Sequence, residues 1–189
     1  MSSGIRHDLI MADKQNGKKY LEYISNNNIS GQLKIAPEHT SDNVLESMGK
    51  PKQTVFLNFM NEFKRINEPL NQFLTCYFMV DHPGCSLYDM DDLLLFINQN
   101  LKFRPEQVQV FTPTPSTFST LMYYTEQDLN GNDIFVEKDR NARMKQKLVI
   151  TQTLGDSSKH QNNNRNKHGY SHKNKFNSKR SYYTKFKKR

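Results

Sequence analysis

The sequence predicts a parallel α/β fold, and three observations predict it. Strand-like apolar runs alternate with helix-period stripes between about residues 32 and 112, in the order strand, helix, strand, helix, strand. One run, "FLTCYFMV" (73–80), has almost no polar interruption, which is the pattern of a strand covered on both faces. Polar and charged residues collect in the loops that follow the strands, where parallel α/β proteins place their ligands. The 189 residues leave room for one domain with a hydrophobic core, and some extra chain.

The elements follow in order. "GKKYLEYISNN" (17–27) sets Tyr20, Leu21 and Ile24 on one helical face. Leu33 to Ala36 is a short apolar strand, stopped by Pro37. Thr40 or Ser41 can cap a brief helix carrying Val44, Leu45 and Met48, closed by Gly49 and Pro51. Over 53–67, Val55, Phe56, Phe59, Met60, Phe63 and Ile66 recur at spacings of three and four, an amphipathic helix that Pro69 ends. After the 73–80 strand and the His82-Pro83-Gly84 turn, Ser86 and Asp89 form a capping-box pattern. Leu87, Met90, Leu93, Leu94 and Ile97 give the helix that follows its buried face. Val108 to Thr112 is a third short strand, running into a proline-punctuated loop.

Beyond residue 115 the rhythm changes. "STFSTLMYYT" reads as a short helix, "DLNGNDIFV" as a turn with an extended piece, and 139–150 as another helix. From about Gly155 the chain is Asn, Lys, Ser, His and Tyr with almost no aliphatics. Such a segment buries too little apolar surface to offset its chain entropy, so disorder is expected. The expected organisation is a parallel α/β part over 1–115, a small α+β part over 116–154, and a basic tail over 155–189.

The charge is uneven. Residues 156–189 hold eleven Lys or Arg against one acid, a net of +10. The other 155 residues carry 16 basic and 18 acidic groups, so the basic character belongs to the tail. With two cysteines, no signal-peptide pattern and no apolar run of about 18 residues, the expectation is a soluble cytoplasmic protein without membrane contact. A reducing cytosol disfavours a Cys76–Cys85 disulfide.

The loops after the strands are "SSGIRHD", "APEHTSD", "DHPGCSLYD" and "FTPTPST", and they carry Arg6, His7, Glu38, His39, Asp81 and His82. Taken singly, Glu38 and Asp81 can be helix caps, and His82 can bond a nearby carbonyl; their clustering is the functional signal. Cys76 and Cys85 lack both the ligand number of a zinc site and the Cys-x-x-Cys spacing of a redox pair. Cys76 reads as core packing. Cys85, at a helix start, could have a lowered pKa and be reactive.

The blocks "SSGIRHDL", "SGQLKIAPEHTSDNVLESMGKP", "YFMVDHPGCSLYDM" and "LKFRPEQVQVFTPTPSTFSTLMYYT" are similar, in order and spacing, to YgiQ-type radical S-adenosylmethionine proteins. The resemblance runs from residue 2 to about 150. It implies the C-terminal half of a radical-SAM partial (β/α) barrel, beginning at the end of the fourth strand and followed by that family's extension. It also implies two cofactors in the intact family, S-adenosylmethionine and a [4Fe–4S] cluster held by three thiolates on a loop after the first strand. Two cysteines cannot supply three ligands, and neither lies on that loop, so no metal ligand is expected here. The glycine-rich segment that binds the cofactor's amino group would also lie upstream.

Carried over by position in the barrel, the cofactor-contacting residues implied are Ser3 and Arg6, Lys34 and Glu38, and His82 and Pro83. The Arg6 fork suits a carboxylate, and Glu38 can accept from ribose hydroxyls. No catalytic residue, reaction or substrate follows from the motifs. The expectation is a truncated or split family member, inactive in radical chemistry alone. Its partner would be a separately encoded N-terminal half, or a second copy associating through the exposed barrel edge. A reading of another class attaches to the tail: "NNNRNKHGYSHKNKFNSKRSYYTKFKKR" interleaves cations with Tyr170, Phe176, Tyr182, Tyr183 and Phe186, a composition suited to RNA. A solubilising terminus has the same composition.

Overall fold

A computed structural model describes residues 4–101, 105 and 108–151. Ser3 and the whole segment 155–189, with its expected disorder and RNA binding, lie outside the described residues. The elements are α1 (His7–Ala12), α2 (Gly17–Asn27), β1 (Gln32–Glu38), α3 (Asp42–Ser47), α4 (Gln53–Asn67), β2 (Phe73–Val80), α5 (Leu87–Asn100), β3 (Val108–Val110), α6 (Phe118–Thr125) and α7 (Arg140–Thr151). The result is a mixed α/β architecture around a three-stranded parallel sheet of order β1-β2-β3.

Alternation along the strands assigns the faces. Leu33, Ile35 and Pro37 of β1, and Cys76, Phe78 and Val80 of β2, are buried. All of these but Pro37 join Leu21 and Ile24 of α2, Phe56, Phe59 and Phe63 of α4, and Met90, Leu93 and Ile97 of α5 in one core. The opposite face, with Lys34, Ala36, Thr75, Tyr77 and Met79, is only half-buried. The expectation that β2 is covered on both faces is therefore met on the helix side only. Of the α5 stripe, Leu87 is exposed, while Phe96 is buried and belongs to the core. Tyr20 of α2 is likewise exposed, leaving Leu21 and Ile24 as its buried residues.

Three local expectations are corrected. Pro37 does not stop β1: the strand runs on to Glu38, and its register with β2 shifts between Ile35 and Glu38. Proline has no N–H for the ladder, and a bulge is where a strand accommodates one. Second, "SSGIRHD" is more than a loop. Ile5 makes a parallel bridge to Ile35, its N–H donating to Lys34 at 3.0 Å, and α1 begins two residues later. Gly4–Arg6 thus take the next position in the sheet, beside β1 and away from β2. Third, β3 ends at Val110, two residues short of the expected strand. Gly17 closes the α1–α2 corner: a Cβ there would lie 1.9 Å from the Ile10 carbonyl oxygen.

The segment beyond residue 115 shares this core. α7 packs against α5, β2 and β3, and its Ile150 is fully buried in the main cluster. No helix among the described residues is long and apolar enough to cross a membrane.

Candidate functional site at the strand ends

Three adjacent parallel segments end side by side, and each ends on charged or titratable groups: Arg6 and His7, then Glu38 and His39, then Asp81 and His82. Glu38 and Asp81 occupy matching positions, one closing β1 and the other directly following β2. Both have left-handed backbones, with φ of 69° and 64°. Side chains larger than glycine rarely adopt that conformation, and such strain concentrates at functional sites.

Arg6 is exposed, and its guanidinium fork is already engaged by Asp8, with Nε and Nη2 donating at 2.8 and 2.6 Å. That partner holds the Asp8 carboxyl down at about 2. A ligand carboxylate at Arg6 would have to displace Asp8. His7 does not face the rim: it is buried, edge-on to Phe56 and Phe59, and burial lowers its pKa. Lys34 sits on the half-buried face of β1 and its carbonyl accepts from Ile5. Glu38 lies 3.6 Å from Lys50; burial raises its pKa and the Lys50 ammonium opposes that shift.

Beside the C-terminal halves of the strands is a concavity of about 410 Å³, lined by Ala36, Glu38, Tyr77, Met79, Gln109 and Lys147 among others. Lys147 comes from α7, so the extension forms part of its wall. Of the described residues expected to contact a cofactor, only Glu38 lines it. Arg6, His82 and Pro83 sit elsewhere on the rim.

The end of β2 is tied to the extension. Asp81 is buried, and one of its oxygens pairs with Arg143 Nε of α7, whose Nη2 donates to the Phe111 carbonyl. The other oxygen, Oδ1, is buried without a hydrogen-bond partner. Burial pushes the Asp81 pKa up to about 6 against the opposing pull of Arg143. In the turn that follows, Gly84 (φ 86°) donates its N–H to the Phe135 carbonyl, so the 126–137 segment also closes on this end.

From the sequence, Cys85 could be reactive at its helix start. Burial overrides the helix dipole: the thiol is 1% exposed and its pKa is pushed up to about 12. Cys76, inside β2, is pushed up to about 12 for the same reason. His39 Nδ1 accepts from the Ser41 N–H at 3.0 Å, which leaves the proton on Nε2, 3.7 Å from Cys85 Sγ. Gln146 Oε1 of α7 lies 3.9 Å from the same sulfur. The capping box at Ser86 and Asp89 forms as expected. Ser41 is the N-cap residue of α3, yet its hydroxyl donates to Asp89 Oδ1 at 2.5 Å and does not cap the helix.

Arg143, Gln146, Lys147 and Ser119 were missed in the sequence. The first three lie on α7, which the sequence shows as a helix without marking an inward face, and Ser119 is one of several hydroxyls in the stretch read as a short helix. Among the described residues, no group of three or more His, Cys, Asp or Glu is placed to hold a metal ion. With its two cysteines buried as high-pKa thiols in different elements, the chain does not fit an iron–sulfur cluster.

No family model matches the chain. Its homologues are named UPF0313 proteins. One from Fusobacterium nucleatum is 50% identical over 155 residues, covering 80% of this chain and 27% of the relative. One from Methanocella arvoryzae is 41% identical over 153 residues, covering 79% and 25%. One from Clostridium perfringens is 40% identical over 151 residues, covering 78% and 22%. The chain thus spans about a quarter of the length of these relatives.

Proposed function

We propose that the chain is a member of the UPF0313, YgiQ-type family and forms the later strands and cofactor-facing rim of a radical S-adenosylmethionine (β/α) barrel. One observation carries this reading: Arg6, Glu38 and His82 stand at the ends of three consecutive, adjacent parallel segments, in the order that a barrel requires. Identity of 40 to 50% to UPF0313 proteins over most of the chain supports it. S-adenosylmethionine, when reduced by a bound cluster, supplies a 5′-deoxyadenosyl radical that abstracts hydrogen. Nothing among the described residues holds that cluster, so the thiolates belong to the three-quarters of the relatives' length that this chain does not match.

Glu38 is the residue here best placed for the cofactor. Its carboxylate closes β1 on the wall of the concavity and can accept from ribose hydroxyls. Lys50 holds it from behind. Arg6 can take part only by exchanging Asp8 for a ligand carboxylate. The half-buried sheet face and the outer side of Gly4–Arg6 are where the remainder of the barrel would dock, on the same or a separate polypeptide.

The test assembles this chain with the unmatched part of a UPF0313 relative and titrates S-adenosylmethionine. Glu38→Gln is expected to weaken binding about tenfold, the loss of one charge-assisted hydrogen bond. Unchanged affinity in the variant would remove Glu38 from the site, and no binding to the assembled pair would sink the reading.

A further inference from the structure

The loop ending β2 and the start of α6 meet where His82, one of the rim residues, contacts Ser119, a residue with no part in the radical reading. His82 Nδ1 lies 2.8 Å from the Pro83 carbonyl oxygen. A carbonyl only accepts, so Nδ1 carries the proton. His82 is 3% exposed and burial lowers its pKa, so the ring is neutral and Nε2 has a free lone pair. That lone pair faces Ser119 Oγ at 2.8 Å, and the hydroxyl donates to it. A hydroxyl bonded to an imidazole, whose other nitrogen is fixed by a third group, has the arrangement of an activated nucleophile.

Both partners are held in place. The imidazole packs edge-on against Phe111 with centroids 5.2 Å apart, and the Cys85 N–H donates to the His82 carbonyl at 2.8 Å. On the other side a threonine lattice fixes the loop. The Thr117 hydroxyl caps α6 by accepting from Thr120 N–H, and Thr120 Oγ1 accepts from Thr114 N–H at 2.8 Å while donating to the Thr114 carbonyl at 2.6 Å. Ser119 is the second residue of α6. The first intrahelical bond is made by Leu121, to Thr117, so the amides of Phe118 and Ser119 have no intrahelical acceptor. Ser119 is half-buried, and its neighbour Phe118 is 71% exposed.

We propose that Ser119 and His82 form a nucleophile–base pair that takes acyl groups from activated carboxylic esters. Ser119 Oγ attacks the ester carbonyl carbon as its proton passes to His82 Nε2. The C–O bond to the leaving alcohol breaks, and that proton goes to the departing oxygen. Water then cleaves the acyl-serine, with His82 again taking and returning one proton. No electrons are exchanged and no cofactor is needed. The orienting group is a neutral carbonyl, which stabilises an imidazolium less than a carboxylate does, so activated esters are the substrates that suit it.

The experiment treats the 189-residue chain with a fluorophosphonate probe, in which Oγ displaces fluoride from phosphorus, and locates the adduct by peptide mass spectrometry. Labelling is expected at Ser119, to vanish in Ser119→Ala, and to persist in Ser116→Ala. Hydrolysis of p-nitrophenyl acetate above background should fall at least 100-fold in Ser119→Ala. The labelling rate should drop as acid protonates Nε2. His82 is buried, so its variants risk misfolding; Ser119→Cys supplies the second variant, with alkylation by iodoacetamide faster than at the more exposed Ser116→Cys. Labelling spread over surface serines, labelling or hydrolysis retained in Ser119→Ala, or a pH-independent rate would each overturn the proposal.

Discussion

At Asp81, burial raises the carboxyl pKa from 3.8 to about 6, while Arg143 pulls it back towards ionisation. The raised pKa means that the folded state binds the extra proton between these values. Its contribution to stability is full below about 4 and lost as pH rises through about 6. His39 acts in the opposite sense. Burial lowers it from 6.5 to about 4, so its contribution is present above 6.5 and lost as pH falls towards 4. His7 and His82 are lowered by burial and act with His39, while Glu38, raised by burial, acts with Asp81; with three buried histidines against two carboxylates, thermal denaturation should give a lower Tm at pH 5 than at pH 7. Arg143→Ala leaves a buried carboxylate without its counter-ion, at a cost of about 3 kcal/mol at pH 8. The cost should be smaller at pH 5, where Asp81 can take a proton; equal losses at both values would mean that the pair is not coupled to burial. The two thiols give a second check. With both pKa values about 12, the folded chain at pH 8 should react with iodoacetamide many times more slowly than the urea-unfolded chain. The rim residues Glu38, Asp81 and His82 were legible because charged groups after apolar runs stand out. Their partners were not. Arg143 lies 62 residues from Asp81, and Ser119 lies 37 from His82. Nothing local marks either pairing.

Helices and strands differ in how far the sequence reveals them. α2, α4 and β2 fall on the expected residues because each has a strong period or an unbroken apolar run. α4 carries its stripe through Phe56, Phe59, Phe63 and Ile66, all buried. Phe59 has no exposed surface, and Phe59→Ala should cost about 3–5 kcal/mol in urea denaturation, with the slope m unchanged. A loss below about 1 kcal/mol would contradict the core drawn here. α1 escaped notice because its six residues are too few to show a period. β1 was cut short because proline reads as a strand breaker, and only pairing with β2 reveals the bulge that accommodates it. The polar pattern of α7 concealed that Arg143, Gln146 and Ile150 turn inward.

For the molecule as a whole, parallel order follows from the alternation of strands and helices, and the sheet bears it out in the order β1-β2-β3. The helix-covered face was legible as stripes. The opposite face was misread as covered, since the side chains of a strand do not tell whether a second layer will arrive. That half-buried face, with the concavity beside Glu38 and Lys147, is the surface on which the proposed barrel depends. The central claim is that these residues supply a rim and not the metal centre. Its most direct test is iron and sulfide analysis after anaerobic reconstitution, on the chain alone and on the chain assembled with the unmatched part of a UPF0313 relative. The account predicts no bound iron for the chain alone and about four irons per assembled pair. Four irons on the isolated chain, with cleavage of S-adenosylmethionine, would contradict it.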